Sequence, residues 1–325
     1  MKRSFLLVLL IFFSILSSFA LDNNRLSIRL TPGFSLINGE VYEYVFTEAN
    51  KNTGHKESEL DWDVKAIPAF TINAQIDLLK YIHTELRGSV AIPKSSGNMQ
   101  DYDWLNSSID LWINDDPCEL TNYSIHDNKL LKYTTFFIGA GFNIKIPAQI
   151  TLTPIAAYYY DFISFDGTDG YKTYKGDKWQ QIPFEEKVIS YKQEINDFLL
   201  GLSVQVETLA KWYFYGDFFF SPSATALNAV DYHYVKNIVY WDKFKNISQL
   251  QQNCIVQFKF NKYHSIGISE SIQNIPVSKG TTSKKYLDSD GNPLPGSWIE
   301  YSSEVTGGGT SRFIWSLAIN YSFSL

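Results

Sequence analysis

Two short pairs of residues have the types and the spacing that hydrolytic chemistry needs. Asp101 and Asp103 are separated by one residue, and so are Asp231 and His233. On extended backbone, residues two apart point to the same side, so each pair would present both side chains to one space. A carboxylate beside an imidazole holds the histidine tautomer and stabilises the imidazolium that forms on proton uptake. His233 could therefore deprotonate a water molecule.

The pair formed by Asp101 and Asp103 suits a second kind of proton handling. Two neighbouring carboxylates resist full ionisation, so the pKa of one of them should rise. Such a couple can hold a water molecule by hydrogen bonds and exchange protons near neutral pH. Taken alone, an Asp-x-Asp sequence is more often a solvated loop or a fragment of a cation site. The catalytic hypothesis therefore depends on elements that bring the two pairs together.

Those elements have the pattern of membrane-barrel strands, and the last segment shows it best. One face carries Phe313, Trp315, Leu317, Ile319, Tyr321, Phe323 and Leu325, and the other carries Ile314, Ser316, Ala318, Asn320, Ser322 and Ser324. Similar alternation occurs at 136–146, 200–207 and 254–261, with charged and amide side chains on one face. Unpaired polar groups are costly in a packed core, whereas a water-filled barrel tolerates them.

The whole chain contains ten such segments, an even number as single-chain outer-membrane barrels require. They lie near residues 26–48, 60–77, 80–94, 136–146, 148–166, 188–208, 211–230, 254–261, 263–280 and 313–325. Tight connections are expected near Leu79, Pro147, Ala210 and Lys262, and long polar loops after residues 48, 95, 166, 231 and 280. We therefore predict an all-β, ten-stranded antiparallel transmembrane β-barrel. Short turns of such barrels face the periplasm, so both residue pairs would lie at the extracellular rim.

The N-terminal residues predict a secretory signal peptide over 1–20, with cleavage after Ala20. Lys2 and Arg3 precede the apolar run Phe5–Leu16, and small residues follow it. A run of this length is too short to cross a hydrocarbon core, which takes about 20 residues. Residues 21–325 would then form a single barrel domain.

Composition agrees with a barrel and excludes some partners. Aromatic residues make up 16% of the chain, as interfacial girdles would require. The net charge is −6 without a block of lysine or arginine, so we expect no nucleic-acid partner and favour basic or neutral ones. Cys118 and Cys254 fall in different kinds of segment, a loop and a strand, and unpaired thiols are expected.

No metal site is predicted. Residues Asp288–Asn292 resemble the start of a calcium loop, but Ile299 stands where the bidentate glutamate belongs. No Cys and His set has zinc spacing. His126 follows the carboxylate couple in the same predicted loop, and we expect it to be a surface histidine.

The residues around the first pair resemble a family signature. Gly97–Trp104 is similar to the Gly-Asn-Met-x-Asp-x-Asp-Trp motif of omptins, which are ten-stranded outer-membrane aspartyl-type proteases. Asp231 and His233 lie where that family keeps its Asp-His pair. Further similarity occurs at Leu60–Trp62, Ser190–Gln193 and Phe218–Ser221, so the resemblance covers essentially the whole mature chain.

The resemblance implies roles for five residues. Asp101 and Asp103 would form the carboxylate couple, and His233, oriented by Asp231, would activate the attacking water without an acyl-enzyme. Glu43 would help to bind a basic side chain next to the scissile bond.

Three positions depart from the family pattern. Ala229 stands where a second acidic residue of the specificity pocket belongs, which argues against strict cleavage between two basic residues. Phe162 and Glu194 stand at positions where the family has arginines that bind lipopolysaccharide phosphates. Because Glu194 would repel a phosphate, we infer that activation by lipopolysaccharide is absent or altered.

The resulting expectation is a monomeric outer-membrane endopeptidase that contacts membrane lipid and hydrolyses exposed polypeptides on the extracellular side without a cofactor. Two alternatives stay open. One is a barrel with altered catalysis that acts as an adhesin or binds host proteins. The other is a small-solute pore, although inward side chains such as Tyr213, Tyr215, Asp217 and Phe219 would fill a ten-stranded lumen.

Overall fold

The computed structural model describes residues 26–47, 56–104, 119–147, 149–208, 211–224, 226–245, 247–296, 298–300 and 306–325. The predicted signal peptide and Cys118 lie outside these residues. Cys254 lies on a strand and is exposed. No helix in the described part of the chain is long and apolar enough to span a membrane.

Strands make up most of the described residues. They are β1 (Leu26–Thr47), β2 (Lys56–Leu78), β3 (Ile82–Ala91), β4 (Lys94–Asp103), β5 (Asn122–Phe142), β6 (Ile144–Ile146), β7 (Ile150–Tyr174), β8 (Ile182–Pro183), β9 (Lys187–Glu207), β10 (Trp212–Ala224), β11 (Ala226–His233), β12 (Ile238–Phe244), β13 (Ile247–Lys259), β14 (His264–Lys279), β15 (Thr281–Tyr286), β16 (Ile299–Glu300) and β17 (Thr306–Ser324). Several of these segments continue one another across a short break, as β3 and β4 do, so together they form ten long strands.

The strands close into a ring. Neighbours along the chain pair antiparallel, and β1 pairs with β17 from Arg29 opposite Ser324 to Thr47 opposite Thr306. The predicted ten-stranded antiparallel barrel is therefore confirmed. The strands that flank the tight connections expected near Leu79, Pro147, Ala210 and Lys262 end and begin within a few residues of each other. Ala210 itself lies outside the described residues.

An apolar belt covers the outside of the barrel next to these tight connections. On β17, Phe313, Trp315, Leu317 and Ile319 are between 38% and 67% exposed. The alternate residues Ile314, Ala318, Asn320 and Ser322 are buried inside. The alternation predicted for this strand is confirmed. Exposed Phe34, Phe70, Phe198 and Phe220 continue the belt on other strands, as expected for a surface that faces lipid.

Beyond the belt, the strands continue into regions where the sequence predicted loops. β4 extends to Asp103, β7 to Tyr174 and β15 to Tyr286. β11 ends at His233, and a turn over residues 234–237 leads directly into β12. The expectation of a long loop after residue 231 is therefore wrong. Strands that project past the lipid do not need an apolar outer face, so their sequences lose the pattern that marks the membrane segments.

Two ion-pair networks cross the lumen. The guanidinium of Arg312 binds both carboxylate oxygens of Asp161, with both nitrogen to oxygen distances at 2.9 Å. Nearer the tight turns, Arg87 pairs with Glu85 at 2.7 Å and also contacts Asp217. Because the arginines are paired, these charges are tolerated in the interior. Tyr213, Tyr215, Asp217 and Phe219 are all buried, so the prediction that they fill the lumen is confirmed.

Above these networks lies an apolar floor, formed by buried side chains that include Trp62, Met99, Phe165, Tyr191 and Ile195. The ring of Trp62 stacks on Phe165 and on Tyr191, with centroid distances of 5.4 and 5.8 Å. The floor separates the polar lumen from the projecting strands, and it provides a low-dielectric base for the groups above it.

Candidate active site

A β-bulge fixes the position of the first residue pair. The register of β4 against β5 shifts between Ser95 and Asn98. Gly97 has a φ of +73°, and a Cβ atom there would lie 2.5 Å from Oδ2 of Asp63. The backbone N–H of Asn98 donates to the same Oδ2 at 2.8 Å. Only glycine adopts this conformation without strain or a clash, so the Gly-Asn part of the motif sets the register of the aspartates that follow.

Asp101 and Asp103 lie on β4, between β2 and β5. The hydroxyl of Ser58 donates to Oδ1 of Asp101 at 3.3 Å, and the side-chain amide of Asn122 donates to Oδ2 of Asp103 at 3.2 Å. The neighbouring strands therefore orient both carboxyl groups, and both line one cavity.

The second pair lies on β11, between β9 and β12. Asp231 is buried, and its Oδ2 contacts Nε2 of His233. The ring of Tyr240 packs edge-on against His233 at a centroid distance of 5.4 Å. Because Nε2 is engaged by the carboxylate, Nδ1 is the nitrogen left to accept a proton. The predicted oriented imidazole is therefore present.

The two pairs meet across a cavity of about 240 Å³, which Asp101, Asp103 and His233 all line. Burial and the charge of Asp103 together raise the pKa of Asp101 to about 7, and interactions with Lys236 and His233 oppose the rise. The structure thus brings together all four residues that the sequence selected for catalysis.

An acidic cluster adjoins this cavity. Glu43 on β1, Asp231 and Asp242 on β12 are all buried, and each has one carboxyl oxygen without a hydrogen-bond partner. Burial raises the pKa of Glu43 well above its usual value, and the charges of Asp231, Asp242 and Asp101 add to the effect. Burial likewise raises the pKa of Asp242 to about 7, against a hydrogen bond from Thr282. Unpaired buried carboxyl oxygens need an explanation, and a bound cationic group would provide one.

Sequence comparison identifies the family of this chain. The model of the omptin family matches residues 23–323. The chain belongs to the omptin family.

Similar omptins support this placement. The plasminogen activator of Yersinia pestis is 27% identical over 217 residues, which cover 63% of this chain and 65% of that protein. Protease 7 of Escherichia coli strain K12 is 28% identical over 195 residues, which cover 57% and 56% of the two chains. The chain thus matches less than two thirds of the length of each of these relatives.

A solved omptin structure shows the same fold. The crystal structure of the outer membrane protease OmpT from Escherichia coli has a TM-score of 0.79 with 19% sequence identity. The similarity covers 92% of this chain and 97% of that one. The architecture described above is therefore that of an outer-membrane omptin barrel.

Asp242 is the main site residue that the sequence analysis missed. It lies directly opposite Ala229 on the paired strands β11 and β12. Position 229 has no carboxylate, but Asp242 on the neighbouring strand supplies one at the same place. The segment Ile238–Phe244 was assigned to a long loop. Its Val-Tyr-Trp sequence favours a strand, and that signal could have placed Asp242 on the same inward face.

His126 was expected at the surface, and this was wrong. It is 3% exposed and lines the same cavity as the catalytic pairs. The cause is that β5 extends past the apolar belt, so His126 lies on a strand inside the omptin barrel and not in a surface loop.

Phe162 and Glu194, the two positions that depart from the lipid-binding pattern, lie opposite each other on β7 and β9. The ammonium of Lys132 lies 5.0 Å from the Phe162 ring centroid.

Proposed function

We propose that this omptin is an endopeptidase that hydrolyses polypeptides at the extracellular side of the outer membrane. The observation that carries the proposal is that the carboxylate couple and His233, which Asp231 contacts, line one cavity. The relatives named plasminogen activator and protease 7 support the same class of activity. The networks of Arg87 and Arg312 that cross the lumen argue against a pore.

In the proposed mechanism a water molecule is the nucleophile. Nδ1 of His233 takes a proton from this water as its oxygen attacks the peptide carbonyl, and Asp231 stabilises the imidazolium. The raised pKa of Asp101 lets the couple keep one proton near neutral pH. That proton passes to the amide nitrogen as the carbon–nitrogen bond breaks, and His233 then returns its proton to the couple. No covalent intermediate forms.

The acidic cluster would select the substrate. An arginine or lysine side chain next to the scissile bond would meet Glu43 and Asp242, whose unpaired oxygens could accept its N–H groups. We therefore propose a preference for one basic residue at the cleavage site. Asp242 takes the part that the family pattern assigned to position 229.

The site lies at the end of the barrel opposite the predicted tight turns. We propose that this end is extracellular, because short turns of such barrels face the periplasm. Glu194 and Phe162 are neighbours on the outer surface, and neither side chain is a cation that could bind a lipid phosphate. The ammonium of the nearby Lys132 lies over the Phe162 ring. We propose that lipopolysaccharide is not required for activity.

The proposal is tested by incubating the refolded, monodisperse barrel with a denatured protein mixture, with and without lipopolysaccharide, and mapping new termini. We expect cleavage next to basic residues in both samples. Binding of intact proteins without new termini would instead support an adhesin. Cleavage only in the presence of lipopolysaccharide would contradict the proposed lipid independence.

Replacing Lys236 with methionine tests the role of Asp101 as proton donor. The charge of Lys236 holds down the raised pKa of Asp101, so its removal should raise that pKa further. The donor must be protonated, so activity should be present below this pKa and lost as pH rises through it. We expect the alkaline limb of the kcat/KM profile to move up by roughly half a pH unit.

The matched control for this experiment is Lys285→Met. Lys285 lies on β15 over the ring of Trp298, with 5.5 Å between its ammonium and the ring centroid, and it does not line the cavity. An alkaline limb that stays in place, or that moves to lower pH, in the Lys236 variant would show that another group titrates.

A further inference from the structure

The cavity that the catalytic residues line has walls of a different kind from the acidic cluster. Besides Asp101, Asp103 and His233, its lining includes His126, Lys172, Phe184, Val188, Ile189 and Lys236. Glu43 and Asp242 are not among the lining residues. The two spaces therefore adjoin the same reacting groups but offer different chemistry.

His126 presents a neutral ring to this cavity. Its Nδ1 lies 2.6 Å from the backbone carbonyl oxygen of Asp169, which can only accept, so Nδ1 carries the hydrogen. Its Nε2 lies 3.0 Å from Oγ of Ser124 and accepts the hydroxyl proton. Burial lowers the pKa of His126, against the hydrogen bond to Asp169. Both ring nitrogens are thus engaged by the protein, and neither is left to bind a charged substrate group.

The remaining walls include neutral polar residues together with apolar and cationic side chains. The ring of Phe184 packs against His126 with 5.3 Å between centroids. The ammonium of Lys172 lies 5.1 Å from the centroid of Phe184 and 5.1 Å from that of Tyr174. Val188 and Ile189 are buried members of the floor cluster that reach this cavity. Among the described residues that line the cavity, a cationic side chain would meet the charges of Lys172 and Lys236, and the couple supplies the carboxylates.

We propose that this cavity is a second substrate subsite, which takes a large apolar side chain on the opposite side of the scissile bond from the basic residue. The inference rests on the proposed endopeptidase function. Phe184, Val188 and Ile189 supply the contact surface, His126 closes the wall without a charge, and Lys172 and Lys236 exclude a second basic residue. The enzyme therefore cleaves between a basic and an apolar residue, and it disfavours dibasic sites.

The test uses fluorogenic peptides with arginine fixed on one side of the bond. The residue on the other side is varied through leucine, phenylalanine, alanine, aspartate and lysine. We expect kcat/KM for leucine or phenylalanine to exceed that for lysine by about 10-fold or more, since filling an apolar pocket discriminates by 10-fold to 200-fold. A profile with lysine or aspartate preferred would overturn the proposal. If no peptide of the series is cut, the endopeptidase function itself fails, which is a separate outcome.

Two variants locate the preference in this cavity. Lys172→Glu should raise the lysine-to-leucine ratio of kcat/KM by about 10-fold, because a repulsive charge becomes attractive. Phe184→Ala should lower cleavage of the leucine and phenylalanine peptides and leave the alanine peptide nearly unaffected. Lys285→Glu, which makes the same charge change outside the cavity, is the control and should leave the ratio unaltered. An equal change in the Lys285 variant would attribute the effect to net charge and overturn the assignment.

Discussion

Peptide cleavage should fall by about 10³-fold in kcat/KM when His233 is replaced by alanine, because a positioned general base contributes 10²-fold to 10⁴-fold. Among the described histidines, none is placed to take over. His126 lines the same cavity, but both of its nitrogens are occupied by Asp169 and Ser124. The loss should appear mainly in kcat, since His233 is expected to act on water and to contribute little to substrate binding.

His264→Ala provides the matched control for this loss. His264 is the first residue of β14, beside a tight turn at the other end of the barrel, and it is hydrogen-bonded to Tyr321. Its replacement should leave cleavage unaltered, and both variants should keep the heat-modifiable gel mobility of a folded barrel. Equal cleavage by the His233 variant and the parent would show that the mechanism is wrong.

The second large effect concerns Asp242. Its replacement by alanine should lower kcat/KM for substrates with a basic residue by roughly 30-fold or more, which corresponds to about 2 kcal/mol. The reason is that a buried cation would lose one of the carboxyl groups that pair with it. Peptides with a neutral residue at that position should change by less than about threefold.

A double variant makes this test specific. Asp242 and Ala229 face each other on paired strands, so Ala229→Asp combined with Asp242→Ala returns a carboxylate to the same cluster from the other strand. We expect the double variant to recover most of the preference for basic residues. Asp290→Ala, in an exposed turn, is the control. A single Asp242 variant that still selects basic residues would show that Glu43 suffices alone.

The sequence predicted the membrane part of the fold well. Outward Phe313, Trp315 and Leu317 alternate with inward Ile314 and Ser316 because lipid on one side and a filled lumen on the other impose a period of two. Where strands project past the lipid, their outer face meets water, so the alternation of apolar and inward residues is no longer required. Residues after 166 and 280 were therefore assigned to loops, although the ladder continues through them.

The site residues that the sequence predicted are those whose partners are close in sequence, and the residues that it missed have partners on other strands. Asp101, Asp103, Asp231 and His233 were found because each pair is local, with members two residues apart. Asp242 was missed because its partner is Ala229 on another strand, and cross-strand pairing depends on register. The environment of His126 depends in the same way on Asp169 and Phe184, which are distant in sequence.

The apolar floor under the site also matters to a cell that carries this protein. Trp62, Phe165 and Tyr191 stack across the barrel, and the paired arginines lie beneath them. Water and dissolved toxic molecules therefore meet a closed wall where porins offer a water-filled channel. We expect a bacterium to be able to hold many copies of such a barrel without weakening the permeability barrier that protects it from antibiotics.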